Sequence, residues 1–264
     1  MSARMDDLKL ATMIRDLIVD TANNAPRSQQ KAIGPSEVGE PCVRKLAYKI
    51  HDWPAVNTAQ DPWASIIGTA VHAWMAEAFE GRNTAMPDGR PRYKVEERVT
   101  VRQNTGGSGL LAGSSDLYDR ATGTVWDWKV VGITSLNKYK QAGPGPQYRT
   151  QAHLYGLGQE NAGETPKRVA ICFLPRHHEL RPHVWTEPYD REVAEAGLKR
   201  LDTVYDLIYS LDPEANPQHW QLFPVSQDAK CSWCPYFKPG SSDLSQGCPG
   251  VIKARSSGFE QLIA

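Results

Sequence analysis

Gly113-Ser-Ser-Asp116 is followed, after ten intervening residues, by Asp127-Trp-Lys129, inside the run Thr124-Val-Trp-Asp-Trp-Lys-Val-Val131. Leu110 to Arg120 and Thr124 to Val131 have strand composition, and Ala121 to Gly123 is short enough to join them as a turn. Residues two apart in a strand project from one face, so Asp127 and Lys129 share a side. Carboxylates on neighbouring antiparallel strands can converge on one hard cation. A lysine beside them can position a water or offset negative charge on a phosphate in the transition state. Asp-x-Lys on a surface is an ordinary ion pair. Within an apolar strand, unpaired charges cost several kcal/mol, so something must justify them there. Gly113 suggests a close backbone approach or a bulge that aims Asp116 inward.

Working outward, Tyr93 to Arg102 alternates like a half-buried strand and, with a turn at Gly106–Gly107, completes a β-meander. Gln147 to Gln159 has helical spacing, Arg168 to Leu174 is a short apolar strand, and Val184 to Glu187 is its expected partner. Asp190 to Leu211 reads as a long amphipathic helix. Upstream, Trp63 to Glu80 is a helix with Ile66, Ile67, Ala70, Val71, Trp74 and Ala78 as its apolar stripe and Gly81 as C-cap. Residues 6 to 20 are helical, Thr21 to Pro35 is a loop, and Ser36 caps a short helical segment to Ile50 that is interrupted near Pro41.

The chain has 264 residues, with 30 basic and 30 acidic side chains and zero formal net charge. With 40% apolar residues, 23% charged residues and a mean hydropathy of −0.51, it reads as globular and able to bury a core. Balanced charge argues against a polybasic binder but not against an enzyme with a locally basic cleft. No GxxxxGK[ST] run is present, which argues against a motor ATPase. No apolar run reaches the length of a membrane span, and Met1 to Asp20 has no signal-type apolar core, so a cytoplasmic protein is expected, in a bacterial, archaeal or phage-infected cell.

Two further features accompany the carboxylates. His72 sits mid-helix in Gly68-Thr-Ala-Val-His72, and Gln151 and Tyr155 are i and i+4 on one helix in Gln151-Ala-His-Leu-Tyr155. Singly, His72 reads as a core histidine and Gln151–Tyr155 as a structural hydrogen-bond pair. In order, His72, Gly-x-x-Asp116, Asp127-x-Lys129 and Gln151-xxx-Tyr155 resemble the RecB-like branch of the PD-(D/E)XK nucleases over roughly residues 63 to 160. The resemblance implies Mg²⁺ or Mn²⁺ held by His72, Asp116 and Asp127, with Lys129 assisting the attacking water. It also implies that Gln151 and Tyr155 contact DNA or brace the site. Glu97, on the preceding strand, is conceivable as a further ligand, although a solvent-facing role suits it better.

Cys231-Ser-Trp-Cys234 and Cys248 supply three thiols near the C-terminus, and Cys42 supplies a fourth if the chain ends meet. Four thiolates suit zinc or an iron–sulfur cluster, and composition does not choose between them. The arrangement resembles RecB-like nucleases with an iron–sulfur staple, the CRISPR-associated iron–sulfur exonucleases and the AddB nuclease domain. There one cysteine precedes the nuclease core and three follow it. Pro41-Cys42-Val-Arg-Lys-Leu-Ala-Tyr48 resembles the context of the first. The thirteen residues between Cys234 and Cys248 exceed the usual interval, which makes Cys248 the weakest member and keeps structural Zn²⁺ as the alternative to a 4Fe–4S cluster. Cys172, in an apolar strand, reads as a buried small hydrophobe.

The expected fold is α/β, a restriction-endonuclease-like core with a central mixed sheet flanked by helices. A helical N-terminal part spans 1–62, the nuclease core 63–212, and a cysteine-rich tail packing on the N-terminal part 213–264. The expected activity is a metal-dependent deoxyribonuclease, an exonuclease on DNA ends or single strands. It would serve recombination, repair, phage DNA processing or CRISPR adaptation, with a protein partner in recombination or adaptation. The alternatives are a structure-specific or single-strand endonuclease and a non-catalytic DNA-binding or assembly subunit. Arg44, Lys45, Lys138, Lys140 and Arg149 are candidate phosphate contacts, and Trp53, Trp63 and Trp233 candidate stacking platforms. Surface charge and core packing explain each at least as well. His177–His178 reads as an exposed loop pair.

Overall fold

The computed structural model describes residues 2–25, 32–58, 61–103, 109–177 and 179–251; Gly106–Gly107 and His178 lie outside them. Five strands form one sheet in chain order: β1 (Tyr93–Gln103), β2 (Leu110–Asp119), β3 (Thr124–Val131), β4 (Arg168–Pro175) and β5 (His183–Pro188). All neighbours are antiparallel except β3 and β4, which are parallel. Parallel neighbours need a crossover. Two helices fill it, α5 (Ile133–Ala142) and α6 (Gly145–Asn161). The remaining helices are α1 (Ser2–Asn23), α2 (Pro35–Val38), α3 (Val43–Ile50), α4 (Trp63–Glu80) and α7 (Arg191–Leu211). None is long and apolar enough to cross a membrane.

The chain divides into two compact units, residues 1–39 with 61–202, and residues 40–60 with 203–264. In the first, the sheet is covered on both faces. One face, with Tyr118, Val125, Ile171 and Phe173, packs on Leu136 and Tyr139 of α5 and on Ala152 and Tyr155 of α6. The other, with Leu117, Trp128, Cys172 and Leu174, packs on Val71, Met75 and Phe79 of α4. Cys172 is thus the buried hydrophobe that its strand context implies. In α6 every residue from Gln151 to Gln159 is buried. Its glycines explain how: a Cβ at Gly156 would stand 2.5 Å from the Tyr189 ring, and one at Gly158 would stand 2.6 Å from Val99 Cγ2.

Three local readings change. The inward stripe of α4 is Val71, Met75 and Phe79, while Ala70 and Trp74 of the expected stripe are exposed, Trp74 by 66%. The N-cap of α2 is Gly34, with Glu37 Oε2 accepting the Gly34 N–H at 3.1 Å, rather than Ser36. Finally, α5 occupies a segment with no helical signal, since its N-cap Gly132 offers no side-chain cap.

The second unit is built around stacked aromatics. Tyr48 of α3 lies 4.2 Å from the Trp220 ring, and Phe223 and Tyr236 complete the cluster with Cys248. Trp53 joins this core and donates its Nε1–H to Ser245 O, so it is a packing residue, not a stacking platform. Arg44 is also committed here, to the carbonyls of Gln221 and Phe223 and to Cys248 Sγ, and Lys45 pairs with Glu40 at 2.6 Å.

Candidate metal centre and active site

The β2–β3 ladder runs only from Asp119↔Thr124 to Leu117↔Trp126. Beyond it the strands part, and side chains take over the backbone groups so freed. Trp128 N–H donates to Asp116 Oδ2 at 2.7 Å, and Trp128 O lies 3.0 Å from His72 Nε2. A carbonyl only accepts, so His72 Nε2 carries its proton and Nδ1 is turned toward the carboxylates. Nδ1 stands 3.4 Å from Asp116 Oδ1 and 3.7 Å from Glu96 Oε1. Among the described residues, His72, Glu96 and Asp116 form the one group of potential ligands whose atoms all lie within 4.8 Å of one another.

Glu96 carries no signal in the sequence pattern, and its neighbour Glu97, for which a solvent-facing role is expected, pairs with Lys94 at 2.8 Å. The reason is a break in strand alternation. Tyr93 and Val95 lie with the α4 cluster, whereas Val99 lies with the α6 cluster. The reversal falls at Glu96, whose φ is +48°. On β2 the same reversal separates Leu117, on the α4 face, from Gly113, where a Cβ would meet Tyr155 of α6 at 3.3 Å. Flanking pairs Val95↔Leu117 and Glu97↔Ser115 place Glu96 across from Asp116. A left-handed backbone at a non-glycine residue costs about 1–3 kcal/mol, and directly opposed like charges add to it. Nothing in the packing offsets both; a bound cation would.

The charge balance points the same way. Burial would lower the His72 pKa, but hydrogen bonding to Asp116 and Glu96 outweighs it and holds the imidazole up at about 10. The proton stands where a cation would, between one nitrogen and two carboxylates. Hard oxygen donors suit Mg²⁺ and Mn²⁺, and the imidazole tilts the set toward manganese.

Asp127 and Lys129 form a second group. Asp127 is 1% exposed, accepts a hydrogen bond from Gln151 Nε2 at 3.0 Å on Oδ1, and holds Lys129 Nζ at 2.6 Å on Oδ2. Burial pushes its carboxyl up, Lys129 pulls it down, and Asp116 pushes it up again, so the two acidic residues sense each other. Lys129 Nζ also lies 5.0 Å above the Tyr148 ring, a cation–π contact from α6 that the sequence does not announce. The structure therefore brings His72 and Asp116 together with Glu96, and Asp127 together with Lys129 and Gln151. Tyr155 is buried in the α6 face of the core against Gly113. Of the basic candidates, Lys138 and Lys140 are exposed, and Arg149 is paired with Glu187 at 2.5 Å.

The second unit gathers the other four cysteines. Cys42 N-caps α3, Cys231 opens a short 3-10 turn that leads to Cys234, and Cys248 bridges to Phe237. Burial raises the thiols of Cys42 and Cys234, that of Cys234 to about 11, and the nearby Cys248 adds a smaller rise to both. Cys248 Sγ accepts from Gly250 N at 3.4 Å and from Arg44 Nη1 at 3.5 Å. Gly250, with φ +86°, is needed here because a Cβ would come within 3.2 Å of Cys231 Sγ. Of the remaining tryptophans considered as platforms, Trp63 and Trp233 are exposed.

No known protein family and no characterised protein matches the sequence. Among solved structures, the fold is similar to that of SSO0001, with a TM-score of 0.52 and 14% identity over 92% of this chain and 98% of that one. Weaker likenesses are to an alkaline exonuclease from Laribacter hongkongensis (TM-score 0.46, 10% identity, 74% of this chain and 97% of that) and a phage-related exonuclease from Haemophilus somnus 129PT (TM-score 0.42, 16% identity, 67% and 95%).

Proposed function

We propose that the chain is a divalent-metal-dependent deoxyribonuclease that hydrolyses phosphodiester bonds at DNA ends or in single-stranded DNA. The observation that carries this is the convergence of His72, Glu96 and Asp116 at the fork of the sheet, beside a buried Asp127–Lys129 pair. A divalent cation bound there would supply Lewis-acid stabilisation of the charge that builds on the attacked phosphate. The protein's own contribution is placement. Trp128's backbone fixes both Asp116 and His72, so neither ligand has to reorganise. Gln151 pins Asp127, and Asp127 holds the Lys129 ammonium, whose remaining N–H donors are left to orient a water and meet a phosphate oxygen. Asp127 acts here through Lys129 and through its influence on Asp116, and Tyr155 seats α6 on the sheet beside Gly113.

Linear and circular single strands offered with Mn²⁺ test the reading. Loss of the linear substrate with the circle intact is the expected result; cutting of the circle would make the chain an endonuclease. Binding without cleavage under any divalent metal would leave the DNA-binding or assembly role.

We also assign Cys42, Cys231, Cys234 and Cys248 to one metal group, a 4Fe–4S cluster in preference to Zn²⁺. Support comes from the gathering of the four in one unit and from the N–H donors aimed at Cys248 Sγ, an outer-shell pattern that suits a metal-bound sulfur. Anaerobically purified protein should absorb broadly near 400 nm and carry iron and sulfide. One zinc per chain and no colour would select the alternative.

A further inference from the structure

Four glycines sit inside the long helices of the first unit, and three have a packing reason. A Cβ at Gly156, Gly158 or Gly197 would stand 2.5 to 2.6 Å from Tyr189, Val99 or Thr150. The fourth, Gly68 in α4, has none: beyond its chain neighbours and its own helix backbone, no atom of the described residues lies within 4 Å of where its Cβ would be. Glycine is the poorest helix former after proline, so an interior glycine with room for a side chain lowers stability without improving the packing. Its position is specific. Residues 68, 72, 75 and 79 recur at i, i+4, i+7 and i+11, one stripe of the helix. Met75 and Phe79 of that stripe pack on the sheet, and His72 reaches the carboxylates. Gly68 is the next position out, one turn, or about 6 Å, beyond His72 along the axis. Cβ atoms on a helix tilt toward its N-terminus, so a side chain at 68 would stand on the outer part of that stripe, over the surface that leads in toward the metal ligands.

We propose that Gly68 is a positioning residue for the substrate: its bare backbone is the surface on which the DNA strand lies as its phosphate enters the His72–Glu96–Asp116 site. The inference rests on the nuclease reading above and deepens it, giving α4 a strand-contacting face. It explains why a helix that buries no residue completely keeps a glycine where alanine would fit.

The test uses the full chain and the variants Gly68→Ala and Gly68→Leu, both good helix formers. Melting temperature, Mn²⁺ affinity, DNA affinity in Ca²⁺ and steady-state cleavage of a linear single strand are measured, with Asp127→Ala as the nuclease control. Gly68→Ala should melt about 2–4 °C higher, from helix propensity alone. Mn²⁺ affinity should not change. DNA affinity should fall and KM rise, by about tenfold for alanine and further for leucine, in order of side-chain volume. A folded Gly68→Leu that binds and cleaves DNA like the parent protein overturns the inference while leaving the nuclease reading in place, provided Asp127→Ala is inactive. If the parent protein cleaves no DNA, both fall together.

Discussion

Helices α4 and α6 cover opposite faces of one sheet on opposite terms. From Gln151 to Gln159 α6 is wholly buried, its glycines drawn against Tyr189 and Val99. In α4 no residue is completely buried, Trp74 is 66% exposed, and Gly68 faces open space. Each helix nonetheless touches the site, α6 through Gln151 and Tyr148, α4 through His72. The difference separates two jobs. The α6 side is a rigid backing that sets Asp127 and Lys129 in place, and its positions should register in stability. The α4 side is the open one, and its positions should register in function.

The largest effect is expected from the open side. His72→Ala should lower cleavage by about a thousandfold or more, the scale of losing a principal electrostatic group in an active site, with the melting temperature little changed. If the loss were matched by unfolding, the separation of jobs would not hold for α4. On the backing side, Gly158→Val forces a side chain into Val99 and should destabilise by about 1–3 kcal/mol, read from denaturant midpoints, opposite in sign to Gly68→Ala. A stable Gly158→Val would mean that α6 is less tightly seated than its contacts indicate. Gln151→Ala leaves the buried Asp127 Oδ1 without its donor and should cost about 1–3 kcal/mol together with part of the activity. Full activity in that variant would show that Lys129 is held without help from α6.

Protons sharpen the contrast further. With its pKa raised to about 10, His72 is protonated at neutral pH in the metal-free protein, because Asp116 and Glu96 outweigh burial. Cation and proton compete for Nδ1, so apparent Mn²⁺ affinity should climb by about tenfold per pH unit below that value, with release of about one proton on binding. Calorimetry in two buffers of different ionisation heat measures the proton count. Binding that is flat between pH 7 and 9 would place the cation away from His72.

Much of the sheet is legible from sequence because its strands are apolar runs bounded by turn residues, and Thr124 to Val131 lies where the pattern puts it. The parallel β3–β4 pair is not announced locally, since the crossover helix α5 begins without a capping side chain. Glu96 is invisible for a sharper reason. Its role depends on a reversal of facing that a left-handed glutamate introduces, and period-two reasoning assumes no such reversal. Trp74 is exposed although it belongs to the apolar stripe, because a stripe on a helix does not say which of its edges meets the sheet. Residues 40–60 and 203–264 are joined by aromatics far apart in sequence, and the cysteine count was the one hint that they meet.

On the proposed reading, His72, Glu96 and Asp116 hold the cation on which DNA cleavage depends. The most direct test is cleavage of an end-labelled linear single strand in Mn²⁺ by the parent protein and by Asp116→Asn, with Mn²⁺ affinity measured on the same samples. Asp116→Asn should remain folded, bind manganese at least tenfold more weakly and cleave about a thousandfold more slowly or not at all. An Asp116→Asn protein that cleaves at the parent rate with unchanged manganese affinity would contradict that reading.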